Sequence, residues 1–140
     1  MDGLTLYVPT RKAWRKWLEK NHLAETKVWL IYYNKHTGKP SITYNDAVEV
    51  ALCFGWIDGK VKRIDDDEHV QWFSPRRRNS PWSRRNRDKV ETLIREGLMT
   101  AAGLAALEQA QENGRWEAAY APIEPTLISD EPLDALKPRK

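Results

Sequence analysis

The chain has 140 residues, of which 41% are hydrophobic and 31% charged, and it carries a formal net charge of +3. This length suits one domain that buries its own core, and no apolar run approaches the roughly 20 residues that a membrane-spanning helix requires. The single cysteine, Cys53, excludes an internal disulfide and a cysteine-based zinc site. Because the N-terminus lacks the pattern of a signal peptide, we expect a cytoplasmic protein.

The first half of the chain predicts a helix, a strand and a second helix. Thr10 is a suitable N-cap for an amphipathic helix over about 10–21. The stretch 27–33 is apolar at both alternating positions, which is typical of a strand that is covered on both faces. A capping-box pattern then opens a helix over about 43–54, which we expect to be largely buried.

The second half predicts a hairpin followed by two more helices. Two β-prone runs around a tight polar connection indicate a hairpin over about 57–74. Ser80 followed by Pro81 is a typical helix start, and it predicts a helix over about 80–96. A shorter helix is expected over about 100–113.

These elements together indicate the fold class. Helices and strands do not alternate regularly, so the pattern favours an α+β fold with a short, mostly antiparallel sheet. Residues 1–120 are expected to form a single domain. Residues 121–140 contain several prolines and are expected to be a loosely attached tail.

A basic cluster between residues 76 and 89 is the strongest indication of function. It contains seven Arg and Lys residues and one acid, Asp88, and so contributes +6 to a chain whose total is +3. The predicted helix start at Ser80 lies inside the cluster, and the unpaired amides and positive dipole end of a helix attract phosphate or carboxylate groups. Three interpretations stay open: an external anion binds there, the acidic turn Asp65–Glu68 pairs with the arginines, or the cluster is a plain solvated basic face.

Other polar and aromatic residues carry weaker indications. Asp58 and Gly59 are interpreted first as a turn between helix and strand, with a binding or catalytic carboxylate as the alternative. The acidic residues 65–68 lack the spacing of a known calcium loop, so no metal site is predicted. Cys53 is expected to be a small buried side chain rather than a nucleophile. Trp82, beside the basic cluster, is the best candidate for stacking on a ligand.

Several short motifs of the sequence occur together, and in the same order, in one known family. They are Val50–Gly59, Phe73–Arg77, Trp82–Ser83, Asn86–Asp88, Gly97–Leu104 and Gly114–Trp116. Through them the chain resembles the bacteriocin-protection, YdeI/OmpD-associated family from about Val28 to about Leu136. The resemblance implies a small bacterial cytoplasmic α+β protein linked to envelope stress and protection, with no established catalytic residues or cofactor. The matching recurrent positions are Trp56, Asp58, Gly59, Pro75, Arg76, Trp82, Ser83, Asn86 and Arg87. Other members continue into a further helical segment rich in Lys and Arg, whereas this sequence ends at Lys140.

The sequence therefore predicts a non-enzymatic protein that binds a phosphate, a nucleotide or a polyanion on a basic and aromatic surface. In this hypothesis, arginines hold the anion, Trp82 stacks on the ligand, and the amides after Ser80 complete the site. The full predicted set is Asp58, Lys60, Arg76, Arg77, Ser80, Trp82, Ser83, Arg85 and Asn86. Three alternatives remain: sequence-independent nucleic-acid binding by the same helix, docking on an acidic protein, and an enzyme with Asp58 as general base.

Overall fold

The strands of the protein form one mixed sheet. The computed structural model describes residues 4–77 and 80–119, so the predicted tail 121–140 lies outside the described residues. The strands are β1 (Leu4–Leu6), β2 (Val28–Tyr33), β3 (Trp56–Arg63) and β4 (Glu68–Pro75), and their order in the sheet is β1-β2-β4-β3. β1 is parallel to β2, whereas the β2–β4 and β3–β4 pairs are antiparallel. The predicted hairpin is confirmed as β3 and β4.

The described residues form four α-helices and one short 3-10 helix, which confirms the α+β class. The helices are α1 (Arg11–Asn21), α2 (Tyr44–Cys53), α3 (Arg84–Arg95) and α4 (Ala101–Glu112), with the 3-10 turn at Lys35–Thr37. Three of the four α-helices begin where the sequence predicts, because a threonine side chain caps each of them: Thr10, Thr43 and Thr100 accept hydrogen bonds from Ala13, Asp46 and Gly103. β1 was not predicted, since three residues carry too little pattern.

The start of α3 differs from the prediction. Ser83, not Ser80, is the N-cap: its Oγ accepts a hydrogen bond from the Asn86 amide at 3.1 Å, and the helix begins at Arg84. Trp82 explains the shift, because its side chain is 3% exposed and packs in the hydrophobic core. Burying this indole fixes residues 80–82 in a non-helical approach, and helical backbone starts only after it.

The helices pack on one face of the sheet, which we call the inner face. Trp14 of α1 contacts Phe73 of β4 with ring centroids 5.5 Å apart, and Trp17 contacts Trp56 of β3 at 6.2 Å. Their neighbours at the inner positions of β2 belong to the same core cluster. The outer face carries the alternate residues, Trp29, Ile31 and Tyr33 of β2, Val70 and Trp72 of β4, and Ile57 and Lys62 of β3. None of these outer residues belongs to the core cluster.

α2 is the central helix of the inner layer. It packs against α1, β3, α3 and α4, and six of its ten residues are buried, as predicted. Cys53 at its end is a free, buried cysteine, which confirms its interpretation as a small core side chain. Burial also raises the pKa of the Cys53 thiol above its ordinary value, because a thiolate is poorly solvated there.

Candidate anion-binding site

Three exposed arginines lie in the segment that leads into α3 and in the first turn of that helix. Arg84 and Arg85 are the first two helical residues, and the first turn contains no acidic residue. Arg77 lies before them in the chain, and its carbonyl accepts a hydrogen bond from the Ser80 amide at 3.0 Å. We call Arg77, Arg84 and Arg85 the arginine patch. Among residues 4–77 and 80–119, no ion pair joins any of the three to a carboxylate.

Arg76 has a different role from its neighbour Arg77. Its guanidinium carbon lies 3.8 Å from the centroid of the Trp82 ring, and Nη1 donates to the Pro81 carbonyl at 3.1 Å. This is a close cation–π contact to a buried indole. Arg76 therefore fixes the loop that precedes α3, and its guanidinium plane is committed to Trp82.

Trp82 is not an open platform for a ligand, so that part of the prediction is wrong. Arg76 covers one face of the ring, and Trp116 meets it edge to face at 5.1 Å. With 3% of its surface exposed, Trp82 anchors the approach to α3 in the core. The indole and the arginines that suggested stacking on a ligand do lie side by side. The Trp82 ring, however, contacts Arg76 and Trp116 within the protein.

The later basic residues of the cluster also have internal partners. Arg87 Nη1 donates to the Trp116 carbonyl at 3.1 Å, and its Nε lies 3.9 Å from a Glu91 carboxylate oxygen. Lys89 Nζ lies 3.7 Å from Glu49 on α2. Arg78 lies outside the described residues. Of the predicted cluster, the arginine patch is therefore the part that faces solvent without a described partner.

The acidic turn does not pair with the arginine patch. Asp65–Glu68 lies at the tip of the β3–β4 hairpin, whereas the arginines follow the other end of β4. At about 3.3 Å per residue, the strand separates the two by roughly 23 Å. Asp66 pairs with Arg63, and Asp67 accepts a hydrogen bond from His36 at 2.8 Å if the ring nitrogen is protonated. The interpretation in which this turn neutralises the cluster is therefore wrong.

The sequence predicts that Ser80, Ser83 and Asn86 are part of the anion site. In the structure they contribute backbone groups and the N-cap of α3 instead. The amides that follow Ser80 do not open a helix, because the helix starts at Arg84. The free helical amides are therefore those of the first turn of α3, apart from the Asn86 amide, which Ser83 satisfies at 3.1 Å. Because these amides lie on the same turn as Arg84 and Arg85, the positive end of α3 is at the arginine patch.

Asp58 and Lys60 lie on β3, away from a turn. Asp58 pairs with Phe73 and lies just before a β-bulge, so the interpretation of Asp58–Gly59 as a connection between helix and strand is wrong. The half-buried Asp58 carboxylate accepts a hydrogen bond from the Tyr44 hydroxyl at 3.0 Å and a long one from Gln71 Nε2 at 3.5 Å. Lys60 is exposed in the bulge. No described hydrogen bond or ion pair joins Asp58 or Lys60 to the arginine patch, and the use of Asp58 as a general base stays a prediction.

Sequence reasoning missed the polar network around Asp58. Gln71 is 2% exposed, and its Oε1 accepts a hydrogen bond from the Tyr32 hydroxyl at 2.8 Å. Burial, with smaller contributions from Tyr44 and Asp58, raises the pKa of Tyr32 well above its ordinary value, so this phenol stays neutral. The one signal in the sequence is a glutamine at an inner position of an otherwise apolar stretch of strand.

Within residues 4–77 and 80–119, no group of three or more His, Cys, Asp or Glu side chains is arranged to hold a metal ion. None of the described helices combines the length and the apolar content that crossing a bilayer demands.

Comparison with known proteins places the chain in a family. Residues 6–106 match the family described as "Domain of unknown function (DUF8412)". The chain belongs to this family. The DUF8412 match extends from the end of β1 into α4, so it includes the arginine patch, Arg76, Trp82 and the Asp58 network. Trp116, which packs on Trp82, lies beyond it.

The other comparisons found no match, either among curated proteins or among solved structures. The DUF8412 match does not test the resemblance to the YdeI/OmpD-associated family, which stays a prediction.

Proposed function

We propose that this protein binds a phosphate-bearing or polyanionic ligand through the arginine patch and acts by binding rather than by catalysis. The observation that carries the proposal is the composition of the first turn of α3. It holds Arg84 and Arg85 and no acid, and no described carboxylate pairs with either side chain. A protective role of the kind that the YdeI/OmpD resemblance implies is consistent with binding of this sort and forms part of the proposal.

The energetics of the helix support this assignment. A cation near the N-terminus of an exposed helix is unfavourable by about 0.3–1 kcal/mol, since it faces the positive end of the dipole. Two adjacent arginines at that end therefore destabilise the helix, and the first turn contains no acidic residue that would offset their charge. An external anion would remove this repulsion and accept hydrogen bonds from the guanidinium groups at the same time.

A direct test compares the affinity of the wild type with that of R84A/R85A, with a fluorescently labelled heparin fragment and a labelled 30-base-pair DNA as probes in anisotropy titrations. The matched control is K12A/K16A, which removes two exposed positive charges from α1. We expect R84A/R85A to lose at least about tenfold in affinity and the control to lose much less. Equal losses in the two variants, or no binding by the wild type at low salt, would contradict the proposal. Thermal shifts with inorganic phosphate and ATP separate a small-ligand site from a polyanion site.

Sequence-independent binding to a nucleic-acid backbone is a second candidate for the same patch. Arg77, Arg84 and Arg85 are all exposed over one short segment, as successive phosphate contacts require. This candidate predicts that log Kd for duplex DNA depends linearly on log salt, with a slope of about 0.9 per phosphate contacted. Removing Arg77 as well as Arg84 and Arg85 should reduce that slope by more than two. Binding to heparin with no measurable binding to DNA would eliminate it.

A further inference from the structure

The segment that follows α4, residues 114–119, packs against the protein through one tryptophan. The Trp116 side chain is 5% exposed and belongs to the hydrophobic core cluster. Its amide donates to the Ala110 carbonyl of α4 at 3.0 Å, so the backbone of the segment is held as well. The residues on either side of Trp116, Arg115 and Glu117, are both exposed. The segment therefore has a fixed position and presents two opposite charges to solvent.

The contacts of Trp116 place this segment beside the first turn of α3. Its ring meets that of Trp82 with centroids 5.1 Å apart, and Trp82 lies two residues before Arg84. Arg87 contacts Trp116 twice: its guanidinium carbon lies 5.3 Å from the ring centroid, and Nη1 donates to the Trp116 carbonyl at 3.1 Å. Arg84 and Arg87 are three positions apart and so lie on the same side of the helix. Arg115, with its Cα only about 3.8 Å from that of Trp116, is thereby brought to the Arg84 side of α3.

The charges of this segment are not neutralised within the described part of the chain. No ion pair among residues 4–77 and 80–119 involves Arg115 or Glu117. A carboxylate that faced the arginine patch from so short a distance would pair with a guanidinium group there, and Glu117 does not. The segment therefore leaves the positive charge of the patch in place, and Arg115 adds to it.

We infer that Arg115 extends the arginine patch and that the ligand is a flexible chain of repeated phosphate groups. The inference rests on the proposed function and names the class of ligand. A single phosphate can be held by the adjacent Arg84 and Arg85, but a ligand that also reaches Arg115 on a separate segment needs several anionic groups along a chain. Trp82 and Trp116 are 3% and 5% exposed, so neither ring is open to a nucleobase. A linear polyphosphate needs only charge-assisted hydrogen bonds from guanidinium groups, which this surface offers.

Isothermal titration calorimetry with two probes tests the inference: long-chain inorganic polyphosphate and inorganic triphosphate. We expect R115A to weaken binding of the long chain by at least about threefold, the loss of one exposed charge contact, and to leave the triphosphate affinity unchanged. R115K should bind the long chain nearly as well as the wild type, because an ammonium group keeps the charge. An R115A variant that loses the same factor with both probes, or with neither, would overturn the inference.

Two further variants provide the controls. R95A removes an exposed arginine from the last turn of α3, about 16 Å along the helix axis from Arg84, and should bind the long chain like the wild type. E117Q removes the neighbouring acid. If E117Q gains affinity while R115A loses none, Glu117 and not Arg115 borders the patch, and the inference is wrong. It is also wrong about the class of ligand if duplex DNA of equal charge binds more tightly than polyphosphate.

The double variant R84A/R85A separates this inference from the proposed function. If it weakens binding of both probes while R115A behaves like R95A, the proposed function stands and the role of Arg115 is eliminated. If R84A/R85A binds both probes like the wild type, the proposed function itself fails. Weaker binding of both probes in R84A/R85A, together with a loss confined to the long chain in R115A, is the result that we expect.

Discussion

Gly103 of α4 lies directly against the Cys53 carbonyl at the end of α2. A Cβ built on Gly103 would stand 2.3 Å from the Cys53 oxygen and 2.7 Å from its carbonyl carbon. The same oxygen accepts hydrogen bonds from the Thr100 hydroxyl at 2.6 Å and the Thr100 amide at 3.0 Å. α4 therefore approaches α2 through its backbone, and its N-cap is tied to the C-terminus of the other helix.

G103A should destabilise the protein, although alanine is the better helix former by about 1 kcal/mol. The clash is with backbone, which cannot rotate away, and overpacking of this kind costs about 1–3 kcal/mol or more. We expect a net loss in the free energy of unfolding, measured by urea titration. L104A, at a position 45% exposed on the same helix, is the control and should change stability much less. A more stable G103A would show that α4 does not approach α2 this closely.

S83A should lower the free energy of unfolding by about 1 kcal/mol, whereas S80A should change it little. The Ser83 side chain satisfies the Asn86 amide at the start of α3, and Ser80 makes no such cap. Urea titrations of the two variants compare the two candidate helix starts directly. A larger loss in S80A would mean that α3 begins where the sequence pattern alone suggests.

R76K and R77K should differ, although they are adjacent and equally conservative. The Arg76 guanidinium carbon lies 3.8 Å from the Trp82 ring centroid, and a lysine ammonium cannot reproduce that contact together with the hydrogen bond to Pro81. We expect R76K to lose about 1 kcal/mol of stability by thermal and urea unfolding. R77K, at an exposed position, should unfold like the wild type. Identical unfolding of both variants would argue against a structural role for Arg76.

Stability should fall as the pH rises above about 10, because the pKa of Tyr32 is raised in the folded protein from an ordinary value of 10.0. Above that pH the phenol ionises in the unfolded chain but not in the folded one, so each pH unit favours unfolding by up to about 1.4 kcal/mol. Below pH 10 the contribution of Tyr32 to the free energy of unfolding is fully present. Y32F should be less stable than the wild type below pH 10, since it loses the hydrogen bond to Gln71, but its decline above pH 10 should be shallower.

The buried thiol of Cys53 should also make the protein less stable as the pH rises, and its effect should begin at a lower pH than that of Tyr32. Its raised pKa means that the unfolded chain releases this proton first, starting near the ordinary value of 9.0. Urea titrations of C53A between pH 8 and 10 should therefore show a flatter profile than the wild type, and Y32F should follow the wild type over that range. A Y32F profile that is flat below pH 10, or a C53A profile as steep as the wild type, would contradict this assignment of the two groups.

Local sequence patterns predicted most of the helices and the hairpin. Thr10, Thr43 and Thr100 cap their helices through hydrogen bonds within three residues, so no distant contact is needed to place them. The start of α3 could not be placed in this way. Ser80–Pro81 and Ser83 are both acceptable starts locally, and the burial of Trp82 among distant residues decides between them.

For the candidate site, the sequence by itself determined that positive charge collects in the segment around the start of one helix, because the order of charged residues is a property of the chain. Only the tertiary structure decided which of those charges remain available. Three of them have partners within the protein: Arg76 contacts Trp82, Arg87 contacts Trp116, and Lys89 lies beside Glu49. The acidic turn Asp65–Glu68 lies at the tip of the hairpin, away from the arginine patch. The contact between the Trp29 and Trp72 rings likewise depends on strand register, which places these residues opposite each other although 43 positions separate them in the chain. β2 and β4 are far apart in the chain, so their pairing depends on contacts between distant residues and not on a local turn, as it does in the β3–β4 hairpin.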